Sequence, residues 1–361
     1  MIDVKPATAK ISSQALKHNI GVIKQKAPHS KVIAVVKANA YGHGVAFVAS
    51  VLEEFVDCFG VARLEEALTL RSNGITKPIL LLEGFFRAKD LPIIAVNNIQ
   101  TIVHNEEQLN ALQQANLPNP INVWLKIDTG MHRLGVALEE VETFCQALEK
   151  CPNIEPHFGF VSHFSRADEL ESDYTQKQLN AFLQATKNRV GERSIAASGG
   201  ILFWPEAHLD WIRPGIILYG ISPNNVPSQE YGLMPVMTLT SSLIAVRNHK
   251  KGEPVGYGGK WVSEQDTKIG VVAIGYGDGY PRDMPQGTPV YLNGRRVPIV
   301  GRVSMDMLTV DLGQDSQDQV GDEVILWGKE LPIEEIAAIS GILSYELITK
   351  LTPRVLTEYI D

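Results

Sequence analysis

The sequence predicts an α/β chain: an N-terminal (β/α)8 barrel joined to a C-terminal, mostly antiparallel β domain. Over roughly the first 220 residues, short apolar runs alternate with amphipathic segments, the texture of parallel strands joined by crossover helices. The strand-like runs number eight, which matches a barrel; a doubly wound open sheet is the second choice. From about Tyr231 the texture changes to short β-rich runs separated by Gly, Pro and Asn. These observations divide the chain into a barrel over residues 1–230 and a β-rich domain over 231–361.

The elements follow in order. SSQALKHNIGVIKQKA (Ser12–Ala27) has helical spacing, with Ser12 or Ser13 placed to cap it. The expected barrel strands lie in KVIAVVK (Lys31–Lys37), CFGVARL (Cys58–Leu64), PILLLEG (Pro78–Gly84) and IQTIVHN (Ile99–Asn105). They continue in INVWLKID (Ile121–Asp128), FGFVSHFS (Phe158–Ser165), RSIAAS (Arg193–Ser198) and DWIRPGIILYG (Asp210–Gly220). Val45–Phe55 and Leu138–Cys151 are helices between them, apolar on one face and acidic on the other. PNNVPSQEYG (Pro223–Gly232) reads as the connection to the second domain. There, Asn293-Gly294 in LNGRR marks a hairpin tip, and a short helical tail near LPIEEIAAI and SYELITK closes the chain.

The chain has 361 residues, 44% hydrophobic and 20% charged, the balance of a soluble globular protein. Apolar runs such as Pro78–Leu82 are too short to span a bilayer, and the N-terminus carries no signal-peptide pattern. A net charge of −8 disfavours nucleic acid or an anionic membrane as partner. Cys58, Cys145 and Cys151 lack metal-binding spacing and fit a reducing cytoplasm.

Reacting groups of such a barrel gather at the C-terminal ends of its strands. Here those ends carry Lys37, Arg63, Glu83, His104, Lys126 with Asp128, His163, Ser198 and Arg213. A lysine after a buried strand is ordinarily just the first solvated residue, and a histidine such as His163 is ordinarily structural. A partly desolvated lysine amine, however, suits Schiff-base chemistry, and the cofactor that needs one is pyridoxal phosphate (PLP). The turns Ser198–Gly200 and Arg213–Ile216 offer small residues and backbone N–H groups for its phosphate. Lys126 inside an apolar strand is the second oddity: an ion pair, a snorkelling side chain, or a carbamate able to hold an arginine. Carbamylated lysines also serve metal-dependent amidohydrolases, but this chain has neither their His-x-His pair nor an HExxH, so no metal is expected. GYGDGYP (Gly275–Pro281) lacks the spacing of a nucleotide loop and reads as a turn.

Taken together, AVVKANAYGHG, KIDTGMHRLG, SHFSRADE, ASGG, RPGIILYG, VGYGGKW, IGYGDGYPR, GRVSMDM and SYEL resemble the alanine racemase family along essentially the whole chain. The resemblance implies a PLP enzyme interconverting L- and D-alanine and supplying D-alanine for cell-wall peptidoglycan. It implies that Lys37 carries PLP, while Tyr41, Ser198, Tyr345, Gly215 and Ile216 hold the phosphate. Arg213 would face the pyridine nitrogen and Arg133 the phenolic oxygen, with a carbamate on Lys126 orienting Arg133. Lys37 and Tyr257 would act as the two bases, with His163 hydrogen-bonded to Tyr257. Met305 and Asp306 would reach the substrate carboxylate, and Tyr276 would line the entrance. An arginine at the ring nitrogen stays protonated and cannot pass on its proton, so the ring is a weaker electron sink than one paired with a carboxylate. The resemblance further implies a homodimer in which Tyr257, Met305 and Asp306 complete the partner's site. A related PLP racemase of broader specificity, a PLP decarboxylase of similar architecture and a barrel-only PLP-binding protein are the alternatives; the β domain bearing Tyr257 speaks against the last.

Overall fold

The computed structural model describes residues 4–361. The chain forms two compact units: the described residues up to His18 together with Tyr219–Asp361, and the barrel unit Asn19–Leu218. β1 (Thr8–Ser12) belongs to the first of these, because its hydrogen-bonding partners lie more than two hundred residues away. The helix Ser13–Lys26 follows, and Ser12 Oγ accepts the Ala15 N–H at 3.0 Å, so Ser12 is its cap.

Eight parallel strands close the barrel: β2 (Lys31–Val35), β3 (Cys58–Val61), β4 (Ile79–Leu81), β5 (Ile99–Val103), β6 (Val123–Lys126), β7 (Gly159–Val161), β8 (Arg193–Ala197) and β9 (Trp211–Arg213). Closure is sealed by β2 pairing with β9, Lys31 opposite Trp211. Each strand is shorter than the apolar run that announced it, since the run's C-terminal residues turn out into the loops above the barrel. One interior cluster takes a residue from seven of the strands: Ile33, Cys58, Leu80, Ile102, Trp124, Val161 and Trp211. Only the barrel interior is shared by so many strands, so this is a packed core rather than a pore. Trp124 and Trp211 meet edge to face at 6.0 Å. Room for Trp124 comes from Gly159 on the neighbouring strand, where a Cβ would lie 2.6 Å from Trp124 Cδ2.

In the other unit the organiser is β10 (Met237–His249), a thirteen-residue strand that pairs antiparallel with β1, with β13 (Thr267–Val272) and with β17 (Glu323–Trp327). The sheet extends through β14 (Pro289–Leu292) and β15 (Arg295–Pro298) on one side, β16 (Leu308–Asp311) beside β13, and β18 (Leu356–Ile360), the one parallel neighbour of β1. Tyr291 pairs with Arg296 and Leu292 with Arg295, putting Asn293-Gly294 at the hairpin tip as the sequence predicts. A separate ribbon, β11 (Pro254–Val255) against β12 (Trp261–Val262), stands on a small core of Val255, Ile269 and Val300 with Trp261 packed against it. Helices Ile333–Ser340 and Ser344–Thr349 precede β18. Among the described residues no helix is long and apolar enough to cross a membrane, and no group of three or more His, Cys, Asp or Glu could hold a metal ion.

Candidate active site

Lys37 sits two residues beyond β2, where the sequence had placed it inside the strand. After Val35 the backbone folds into a tight left-handed turn, with φ of 52°, 55°, 53° and 52° at Ala38, Asn39, Ala40 and Tyr41. L-residues pay roughly 1–2 kcal/mol each for that geometry, so neighbouring structure must hold it. The small side chains of Ala38, Asn39 and Ala40 keep the steric cost down. Ala40 N–H donates to Val36 O at 2.9 Å and Gly42 N–H to Ala38 O at 3.1 Å, while Asn39 Oδ1 accepts the Val45 N–H at 2.9 Å. The fully buried His43 donates from Nδ1 to Tyr41 O at 2.9 Å. Lys37 is thus aimed by a strained, pinned turn.

Lys126 ends β6 and is 8% exposed. The loop after it folds back: Val136 N–H donates to Lys126 O and Asp128 N–H to Val136 O, both at 2.9 Å. Asp128 closes the loop from within, accepting the N–H groups of Gly130 at 2.9 Å and His132 at 3.0 Å. These bonds hold its carboxylate below the usual range. The return brings Arg133 back to Lys126, and both line a small cavity with Met131, Ser162 and His163.

Arg213 ends β9 and is buried, donating from Nη1 to Ser194 Oγ at 2.6 Å and from Nη2 to Ser162 O at 2.5 Å. Its Nη2 also lies 3.3 Å from His163 Nδ1, which must therefore be the unprotonated ring nitrogen. Burial lowers its pKa to about 10, so it stays cationic at neutral pH. Next to it, Gly215 N–H donates to Ser198 Oγ at 3.1 Å. A Cβ on Gly215 would lie 2.7 Å from Tyr41 Oη and 3.9 Å from Ser198 Oγ. The residues expected around a phosphate, Tyr41, Ser198 and Gly215, therefore lie beside one another in the barrel unit.

The electrostatics are predominantly cationic, with Glu83 the opposing carboxylate. Burial lowers the pKa of Lys37, with Arg133 pushing the same way and Glu83 opposing. Burial, then Arg213, Arg133 and Lys37, bring Lys126 down to about 8. His163 falls well below the ordinary histidine value, through burial and then the same cations. Four cationic side chains gathered around a neutral imidazole form a site that calls for anionic groups.

Tyr257, Tyr276, Met305, Asp306 and Tyr345 belong to the other unit, whereas Ile216 follows Gly215 in the barrel unit. Tyr257 stands at the tip of the β11–β12 ribbon and is 71% exposed. VGYGGKW is glycine-rich because Gly256, Gly258 and Gly259 take φ of 72°, 75° and 52° around it. Tyr276 opens the turn Tyr276–Asp278 in GYGDGYP, and its N–H donates to Ser304 O at 3.0 Å. Gly277 N–H donates to Met305 O at 2.8 Å, so Tyr276, Met305 and Asp306 are drawn together. Arg354, which sequence reading passed over, ties them down, meeting Asp306 Oδ1 at 2.9 Å and Asp278 Oδ1 at 3.0 Å. Tyr345 lies on the helix Ser344–Thr349.

Fold and site together define a (β/α)8-barrel protein with Lys37, Lys126, Arg133 and Arg213 gathered around His163 at the barrel mouth. The comparisons with known proteins then narrow the class. The family models for the alanine racemase N-terminal and C-terminal domains match residues 11–223 and 236–359. The chain is 80% identical to the alanine racemase of Pasteurella multocida (strain Pm70) over 360 residues, covering 100% of each. It is 59% identical to the biosynthetic alanine racemase of Escherichia coli O6:H1 (strain CFT073), covering 99% of this chain and 100% of that one. The crystal structure of the biosynthetic alanine racemase from Pseudomonas aeruginosa matches with a TM-score of 0.95 at 43% identity, over 99% of this chain and 100% of that one. This chain belongs to the alanine racemase family.

Proposed function

We propose that the protein interconverts L- and D-alanine with PLP carried on Lys37, working as a cytoplasmic homodimer that supplies D-alanine for peptidoglycan. The observation that carries the reading is the gathering of Lys37, Lys126, Arg133 and Arg213 around His163 at one barrel mouth, where burial also lowers the basicity of Lys37. A neutral amine is the form that condenses with a carbonyl, and the surrounding cations suit the phosphate and phenolate of PLP. The cradle fits as well: a side chain at position 215 would crowd Tyr41 Oη, which the glycine leaves clear beside Ser198 Oγ. The buried free thiols Cys58, Cys145 and Cys151 accord with a reducing compartment.

In this reading Tyr41, Ser198, Tyr345 and the backbone of Gly215 and Ile216 would hold the phosphate. Arg213 would face the ring nitrogen and Arg133 the phenolic oxygen, with Lys126 as a carbamate orienting Arg133. Bound PLP supplies an electron-withdrawing ring that acidifies the α-hydrogen of an attached amino acid. Racemisation removes a proton from one face of Cα and returns one to the other, which requires two acid–base groups. Lys37 Nζ would hold the proton on the D face, and Oη of Tyr257 from the partner subunit would hold it on the L face. His163, with Nδ1 turned to Arg213, keeps Nε2–H to offer to that phenol. Met305, Asp306 and Tyr276 would border the substrate carboxylate and its entrance.

The test is borohydride reduction of the purified protein followed by peptide mass analysis. The cofactor should be found on the peptide containing Lys37, and Lys37→Ala should carry none. Cofactor fixed to another lysine would refute the reading.

A further inference from the structure

The left-handed turn after Lys37 has an outside support. Ala38 N–H, the first amide beyond the lysine, donates to Glu66 Oε1 at 2.7 Å. The other oxygen, Glu66 Oε2, accepts Ala62 N–H at 2.9 Å and Arg63 N–H at 3.0 Å, in the loop after β3. Glu66 is the third residue of the helix Leu64–Ser72, and a glutamate there commonly reaches back to the N-cap amide. That cap occupies one oxygen. The second leaves its own helix and clamps a strained turn on the neighbouring strand. Its negative charge also raises the basicity of Lys37, against the lowering by burial.

We propose that Glu66 is a positioning residue for Lys37, strapping the peptide that follows the lysine to the β3 loop so that the left-handed turn holds one conformation. The proposal rests on the reading of Lys37 as the reacting lysine. Without the strap, Ala38 N–H has only water, the turn loses a fixed end, and the lysine samples a wider arc. The effect falls on chemistry at Lys37 rather than on substrate affinity.

Glu66→Gln breaks the strap and also removes the charge that raises the basicity of Lys37, so exchange at Ala38 is the readout that belongs to the strap alone. The new side chain's single carbonyl oxygen stays with the two donors at Ala62 and Arg63, leaving an amide NH2 facing Ala38 N–H, donor to donor. In the full-length, PLP-loaded protein, residue-resolved hydrogen exchange should quicken at Ala38 by roughly fivefold to tenfold, the worth of one hydrogen bond, and stay unchanged at Ala62 and Arg63. The kcat for L-alanine should fall by a similar factor while KM stays within about twofold. Glu66→Ala should quicken exchange at all three amides and lower kcat further. Wild-type exchange at Ala38 with wild-type kcat in Glu66→Gln would overturn the proposal. So would a variant that loses only melting temperature and helix amides, which is what a mere cap would give. If the wild-type protein proves to carry PLP elsewhere, the functional reading fails, and exchange at Ala38 still decides the strap by itself.

Discussion

Lys126 is the deeper of the two lysines at the barrel mouth, and burial with three neighbouring cations brings its pKa down to about 8. Carbon dioxide adds to a neutral amine, forming an N–C bond as the amine proton leaves to solvent, and an ammonium cannot react this way. An ordinary lysine offers little neutral amine until near 10.5, whereas Lys126 offers it from about 8 upward. With 13C-labelled bicarbonate, a carbamate carbon signal should grow as pH rises through about 8, fade below it, and be missing in Lys126→Gln. A spectrum with no carbamate signal above pH 8 would remove this anion from the account. At this scale the sequence was partly legible. Lys37 announced itself because it closes an apolar run and Lys126 because it lies inside one, and a charge at either place demands a reason. Glu66 and Arg354 did not: a glutamate in a helix's first turn reads as a cap, and an arginine near the C-terminus reads as solvated surface.

Among the elements, the barrel strands were readable because strands buried on both faces are continuous apolar runs. Two features escaped. The left-handed turn at Ala38–Tyr41 was hidden because alanine carries no positive-φ signature, so Lys37 read as the end of a strand. β1 was hidden because its five residues, TAKIS, make sense only beside β10 and β18, with Thr8 opposite Thr240 and Leu356. A non-local pairing leaves no local pattern to read. Packing inside the barrel gives a sharper expectation. Gly159→Ala would drive a methyl into the ring of Trp124, which the closed barrel cannot easily move aside. The strain should cost about 1–3 kcal/mol, read as a lower melting temperature with kcat retained. An unchanged melting temperature would mean that the Trp124 layer is looser than its contacts suggest.

For the whole molecule, the proposed bases belong to different compact units, Lys37 to the barrel and Tyr257 to the sheet unit that also takes in β1. Tyr257 stands 71% exposed on its ribbon, so its phenol is open to a second surface. If each site takes Tyr257 from the partner subunit, Lys37→Ala and Tyr257→Ala chains should complement each other. Hybrid dimers would then hold one intact site and regain up to about half of the wild-type rate per dimer. Demonstrated hybrids that stay at the single-mutant level would count against shared sites.

The central claim, two-base racemisation of alanine, is tested most directly by proton NMR of L-alanine in D2O with the PLP-loaded protein, followed by chiral analysis. The account predicts deuterium at Cα in both enantiomers with the carboxylate retained. L-Alanine left protonated and unchanged while Lys37 holds the cofactor would contradict it.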